Sequence, residues 1–152
     1  MLNRLFKIYN FFKRHFFCTF RIKTVGVRAL ILKDNKILLV RHTYIDGWYF
    51  PGGGVNAHES AHQAVVREVR EEVGGIVSEP AKLLAAYYNP RSGWDDYVLL
   101  FKVDLLDQYE SKDPEIAEAR WFNIHQLPAD ITPSTKNRID EHVFNASLAD
   151  CW

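Results

Sequence analysis

Apolar residues recur along this chain with two different periods, and the changes of period mark its elements. Leu2, Leu5, Phe6, Tyr9, Phe12, Phe16 and Phe20 are spaced by three and four, which predicts an amphipathic helix over the first 20 residues. Arg4, Lys7 and Arg14 fall on its other side, and Lys13 intrudes on the apolar face. Thr24–Leu32, rich in Val, Ile and Leu, predicts a strand. Lys33–Lys36, with Asp34 and Asn35 as turn formers, returns the chain into a second strand, Ile37–His42. Residues 45–54, with Gly47, Pro51 and three successive glycines, predict a loop. A helical period resumes over Ser60–Val73, where Ser60 and Gln63 have the spacing of a capping box and Gly74 can end the helix. Lys82–Asn89 and Tyr97–Leu106 predict strands around the turn Pro90–Asp95, Arg120–Phe122 a short strand, and Thr135–Phe144 a closing helix. Strands that precede, flank and follow one carboxylate-rich helix predict an α+β fold with a mixed sheet. With 152 residues the chain predicts one domain, over 24–152, preceded by the aromatic segment 1–23.

The charge is balanced overall, with 19 basic and 19 acidic residues, but it is unevenly placed. Residues 1–33 hold eight Lys or Arg and no acid, which leaves the rest of the chain at a net −8. An acidic body that binds an anionic substrate needs cations to mediate, whereas a basic arm faces anions directly. Charges interrupt every long apolar run of the arm, so it is no membrane span, and it lacks the apolar stretch and cleavage site of a secretory signal. Three readings of it stay open: a helix docked on the domain or on the second copy of a homodimer, a helix lying on anionic lipid, or a targeting peptide. Cys18 and Cys151 have no metal-like spacing, which predicts free thiols in a reducing compartment such as the cytoplasm. The acidic body, without a reading motif, argues against nucleic acid as partner.

The chemistry concentrates in Gly53–Gly75. At about 100° per residue Ala61, Ala64, Val65, Val69 and Val73 share one helix face. Glu68 and Glu72 project close to that face and Glu71 lies at its edge. A partly buried carboxylate is costly unless paired or metal-bound, and like charges four apart destabilise a helix. Three clustered acids on a semi-buried edge therefore call for a cation. Hard oxygen ligands favour Mg²⁺ or Mn²⁺, and Mg²⁺ keeps waters and binds substrate phosphate. The competing reading is a solvated acidic face with Arg67 and Arg70 as partners. Gly52, Gly53 and Gly54 allow close backbone approach to a metal and phosphates.

The residues Gly53, Glu59, Arg67, Glu68, Val69, Glu71, Glu72 and Gly74 stand at the spacings of the Nudix box, and the chain resembles the Nudix hydrolase family over roughly residues 24–145. One position departs: Gly75 stands where an aliphatic residue is expected, with Ile76 one later, which predicts looser packing after the helix and no loss of chemistry. The resemblance implies an α/β/α sandwich around a mixed sheet, with the catalytic helix at about 60–73. It also implies divalent-metal-dependent hydrolysis of a nucleoside diphosphate linked to another moiety: a nucleoside triphosphate, ADP-ribose, a nucleotide sugar or another capped diphosphate. Carried over by position, Glu68, Glu71 and Glu72, with Gly53, are the implied metal ligands. Glu59 is the implied helper that holds Arg67 or a metal-bound water, and Arg67 the implied orienter of the carboxylates rather than a substrate contact. The general base is implied to be a box glutamate or a later carboxylate, for which Glu115 and Glu118 are candidates. For substrate, Arg41 is a candidate phosphate contact and Tyr44 and Trp48 are candidate base-stacking residues. Trp48 and Phe50 read equally well as core aromatics. A catalytically silent Nudix fold that only binds nucleotide is the rival reading.

Overall fold

The computed structural model describes residues 23–91, 94–111 and 113–152. The expected basic aromatic helix of the N-terminal arm lies outside the described residues. Five strands and two helices follow in the order β1 (Lys23–Lys33), β2 (Lys36–His42), α1 (Ala61–Val73), β3 (Gly75–Arg91), β4 (Trp94–Gln108), β5 (Ile116–Asn123) and α2 (Pro133–Val143). The sheet order is β3-β4-β1-β2-β5. β1 runs parallel to β4 and the other neighbours are antiparallel, so the sheet is mixed as expected.

The β1–β2 hairpin closes on Asp34 and Asn35, both with positive φ (48° and 59°), which matches the twist of the flanking strands. Beyond the hairpin β2 leaves β1, and the glycine loop takes its place. Val27 N–H donates to Gly53 O at 2.9 Å, Ala29 N–H to Pro51 O at 2.8 Å, and Val55 N–H to Val25 O at 2.9 Å. The loop over 51–55 is thus stitched to β1 as a further strand.

Alternation along the strands builds two cores. Val27, Ala29, Ile31, Leu38, Val40 and Val103 face α1, together with its Ala64, Val65, Val69 and Val73. Leu30, Ile37, Leu39, Leu100, Trp48, Phe50 and Tyr87 face α2 and its Ile139. The sheet is therefore sandwiched between the two helices. α1 starts where the sequence places it: Gln63 N–H donates to Ser60 Oγ at 3.1 Å and Ser60 N–H to Gln63 Oε1 at 2.9 Å. Gly74 ends the helix in the left-handed region.

Four expectations need correction. β3 is about twice the expected length and β4 about one and a half times. The register of β3 shifts between Ser78 and Lys82, where Pro80 supplies no N–H, and this interruption hid the part of the strand before Lys82. β5 begins at Ile116 because an edge strand needs little apolar character. α2 begins at Pro133, capped by Thr132, since proline is well placed in a first turn. Gly75 does not loosen the packing. A Cβ there would lie 2.7 Å from Val69 Cγ1 and 2.9 Å from Leu105 Cδ2, so glycine is what lets β3 close on α1. Among the described residues no helix is long and apolar enough to cross a membrane.

On the α2 face the C-terminal residues are tied down. Arg138, 2% exposed, donates to Glu141 Oε1 at 2.6 Å and to Cys151 O at 2.7 Å. Tyr88 N–H donates to Asp150 O and Trp152 N–H to Tyr88 O, both at 2.9 Å. Trp152 then packs at 5.5 Å from the Tyr87 ring.

Candidate active site

The site forms where α1 runs beside the stitched glycine loop. Glu72 is buried within the apolar stripe at 6% exposure, as its helical position predicts. Its Oε2 accepts the Gly52 N–H at 2.7 Å. Burial raises its carboxyl to about 8, against the opposing pull of that N–H and of Arg28. Glu68, one turn earlier, is likewise pushed upward, mainly by burial, with Arg67 opposing. The Glu68 carboxylate fills the space where a side chain at Gly53 would begin: a Cβ there would lie 2.5 Å from Oε1.

Arg67 organises the rest. It donates to Glu59 Oε1 from Nε at 2.8 Å and to Glu59 Oε2 from Nη2 at 2.9 Å. Nη1 serves Glu68 Oε1 at 2.6 Å and Glu71 Oε2 at 3.1 Å, and Nη2 serves Gly54 O at 3.0 Å. All five N–H donors of a guanidinium are thereby used inside the protein. This supports the role of orienter rather than of substrate contact. Glu59, held by this fork and by the Asn56 N–H, keeps its carboxyl down at about 2.

Glu71 stands apart from the other two. It is half-exposed and turned to Arg67, and among the described residues no three metal-binding side chains converge on one point. The protein thus offers a two-carboxylate edge, Glu68 and Glu72, beside backbone that comes unusually close. That set fits Mg²⁺, which takes one or two carboxylates and completes its shell with waters and phosphate. Of the loop carbonyls, that of Gly53 is engaged by Val27, that of Gly54 by Arg67, and that of Gly52 by the Arg28 guanidinium.

The proposed substrate contacts separate into two groups. Tyr44 is 42% exposed and stacks on His42 at 5.2 Å, and its phenol is raised by partial burial and by Glu115 and Glu72. It therefore stands at the rim of the carboxylate cleft. Trp48 is 1% exposed and belongs to the α2-side core, edge-on to Phe122 at 4.6 Å, so the core reading holds for Trp48 and also for Phe50. Arg41 lies with its guanidinium 4.7 Å over Trp48 and pairs with Asp130 at 2.7 Å. It shares the parity of Ile37 and Leu39, so it stands on the sheet face away from α1. Glu118, opposite Arg41 in register, shares that face and pairs with Arg120, so its carboxylate does not join the cleft of Glu68 and Glu72. Arg28 was missed by the sequence reading. In sequence it is one of eight basic residues near the N-terminus, and only the fold brings it to the glycine loop.

The chain also resembles known proteins. The family model for the NUDIX domain matches residues 22–143. An ADP-ribose pyrophosphatase of Methanocaldococcus jannaschii is 32% identical over 109 residues, which cover 68% of this chain and 64% of that protein. A Bacillus subtilis protein with a provisional 8-oxo-dGTP diphosphatase name is 32% identical over 119 residues, 78% of each chain. The crystal structure of a MutT NUDIX hydrolase from Burkholderia pseudomallei superposes with a TM-score of 0.70 at 25% identity, covering 80% of this chain and 98% of that one.

Proposed function

Because the chain belongs to the NUDIX domain family of hydrolases, we propose that it cleaves a phosphoanhydride bond in a nucleoside diphosphate linked to another moiety, with Mg²⁺ or Mn²⁺ as cofactor. The observation that carries this reading is the pair of Glu68, partly buried, and Glu72, buried, at the glycine loop, held in place by Arg67 and the Gly52 N–H. A bound divalent cation would neutralise charge on the phosphate oxygens and lower the pKa of a bound water. The protein's own part is positional. Arg67 fixes Glu68, Glu71 and Glu59 in one frame, Gly52 and Gly53 admit phosphate to the edge, and Tyr44 borders the cleft. Glu115, near enough to Tyr44 to raise its phenol as Glu72 does, is the candidate base from outside the box. Arg41 could reach substrate only by leaving Asp130. We place the enzyme in the cytoplasm, with the basic arm over 1–23 as candidate contact to an anionic membrane surface, a reading supported by its acid-free run of Lys and Arg.

The test is release of phosphate, pyrophosphate or nucleoside monophosphate from a nucleotide panel with each metal, beside Glu72→Gln. ADP-ribose and 8-oxo-dGTP head the panel because the relatives carry their names. Turnover of one substrate class that disappears in Glu72→Gln is the expected result. Equal turnover by both proteins would refute the assignment of the site, and saturable nucleotide binding without turnover would favour the binding module.

A further inference from the structure

Residues 145–152 form a strap that returns from α2 to β3. Asn145, with φ at +57°, turns the chain after the helix, and Ala146 N–H donates to Asp140 O at 2.9 Å. From there to Cys151 every residue is exposed, so apolar burial holds the strap chiefly where Trp152 meets Tyr87 and Phe50. Its other attachments are polar. Cys151 bridges Tyr88 in parallel register on β3, and Ala149 N–H donates to Glu141 Oε1 at 3.2 Å. Arg138 donates to that same oxygen and to Cys151 O. The strap thus converges on one buried pair of α2, Arg138 and Glu141. Tyr87 links the pair to His142. Its hydroxyl lies 2.8 Å from Glu141 Oε2 and 2.6 Å from His142 Nε2. A phenol has one hydrogen to give. With Glu141 ionised beside Arg138, that hydrogen goes to Glu141, and Nε2 carries the hydrogen of the second bond. A neutral imidazole with its hydrogen on Nε2 completes the chain. The cluster is already short of acceptors, because Arg138 Nε is buried without a partner among the described residues. A second hydrogen on His142 would set two cations against one carboxylate, out of full contact with water, which is costly.

We propose that His142, Tyr87, Glu141 and Arg138 form a proton-sensitive latch: protonation of His142 releases the strap over 145–152 while the sheet stays folded. The charged groups acting on His142 are Glu141 and Arg138 of its own helix, and Tyr87 faces it from β3. Burial, chiefly, and Arg138 hold the imidazole below its ordinary value of 6.5, with Glu141 opposing. A group lowered in the latched form stabilises that form above its free value, and the stabilisation is lost as pH falls through that value. The strap is therefore held above about pH 6.5 and loosens below it. Release takes Trp152 off Tyr87 and Phe50, each 1% exposed, and removes the wall that Trp152 adds beside Gly53 and Gly54. The latch is independent of which substrate the glycine loop faces.

The experiment is amide hydrogen exchange of the full chain, followed by NMR at about pH 5.5 and about pH 7.5 on either side of the free imidazole value, for wild type and His142→Gln. Each rate is divided by the intrinsic rate at its pH. Three amides report the latch: Ala149, bonded to Glu141, Tyr88, bonded to Asp150 O, and Trp152, bonded to Tyr88 O. Amides of β1 and β4 report the fold. Wild type should lose at least about threefold of protection at the three latch amides on going to the lower pH, with β1 and β4 unchanged. Glutamine keeps an N–H donor for Tyr87 and takes up no proton, so His142→Gln should show equal protection at both pH values. Equal protection of the three amides in wild type would overturn the proposal, and so would a loss in His142→Gln as large as that in wild type. A loss shared equally by β1 and β4 would overturn it too, since the whole fold and not the strap would then be opening. The wild-type comparison decides the matter even where the variant folds poorly.

Discussion

Glu72→Gln separates the cost of a buried carboxylate from its use. The Glu72 carboxyl sits at about 8 in the folded, cation-free protein, mainly through burial, against an ordinary value of 4.5. A group raised on folding contributes stability that is fully present below its unfolded pKa and is lost as pH rises through its folded one. The window here runs from about pH 4.5 to about pH 8. At 1.36 kcal/mol per tenfold change in proton affinity, the loss is about 3 kcal/mol by pH 7 and approaches about 5 kcal/mol above pH 8. For a domain of this size about 3 kcal/mol corresponds to a melting shift of roughly 6–12 °C. Glutamine keeps an oxygen for the Gly52 N–H and carries no charge. In EDTA, wild type should therefore melt progressively lower from pH 5 to pH 9 relative to Glu72→Gln, and the variant should be the more stable at pH 8. With millimolar Mg²⁺ the order should reverse at pH 8, because only the carboxylate gains a cation. Thermal melting across this pH range, with and without Mg²⁺, checks both statements. Parallel pH curves for the two proteins in EDTA would refute the argument that burial dominates at this residue.

Arg67→Lys should lower kcat/KM by about 10²-fold, since one ammonium cannot replace a five-donor fork, and steady-state kinetics with a Mg²⁺ titration would show it. Gly53→Ala should abolish turnover while shifting the melting temperature little, because its Cβ meets only the movable end of Glu68. Gly52→Ala should unfold the protein readily, because its Cβ meets the Val27 backbone oxygen and φ is +140°. Trp48→Ala should cost about 3–5 kcal/mol in denaturant melts as a core truncation, whereas Tyr44→Ala should leave stability near wild type and raise KM.

Much of the site was written locally. The capping box at Ser60 and Gln63, the Gly74 stop and the spacing of Glu59, Arg67, Glu68 and Glu72 all act within one helix and the loop before it, where periodicity fixes geometry. The burial of Glu72 followed from that period alone. What escaped was whatever depends on which face of the sheet a residue takes. Arg41 and His42 are adjacent, and a register shift between them decides their environments, which no alternation pattern shows. Trp48 sits in an irregular segment where stacking residue and core residue look alike, and only its approach to Phe122 and two arginines settles the matter. Arg28 is ordinary in a basic segment and becomes special only because the glycine loop, 24 residues on, returns beside β1.

The stitching of that loop to β1 ties the durability of the site to that of the fold. A surface loop can open by itself at little cost, and proteases and solvent find such openings first. Residues 51–55 have no such freedom, since freeing them means tearing hydrogen bonds from a strand that also holds β4. Backbone amides bound there, such as those of Val27 and Val55, should exchange with solvent only at the rate of global unfolding. Heat or proteolysis that spares the domain would then spare the phosphate-facing edge, and activity would disappear together with the sheet rather than before it.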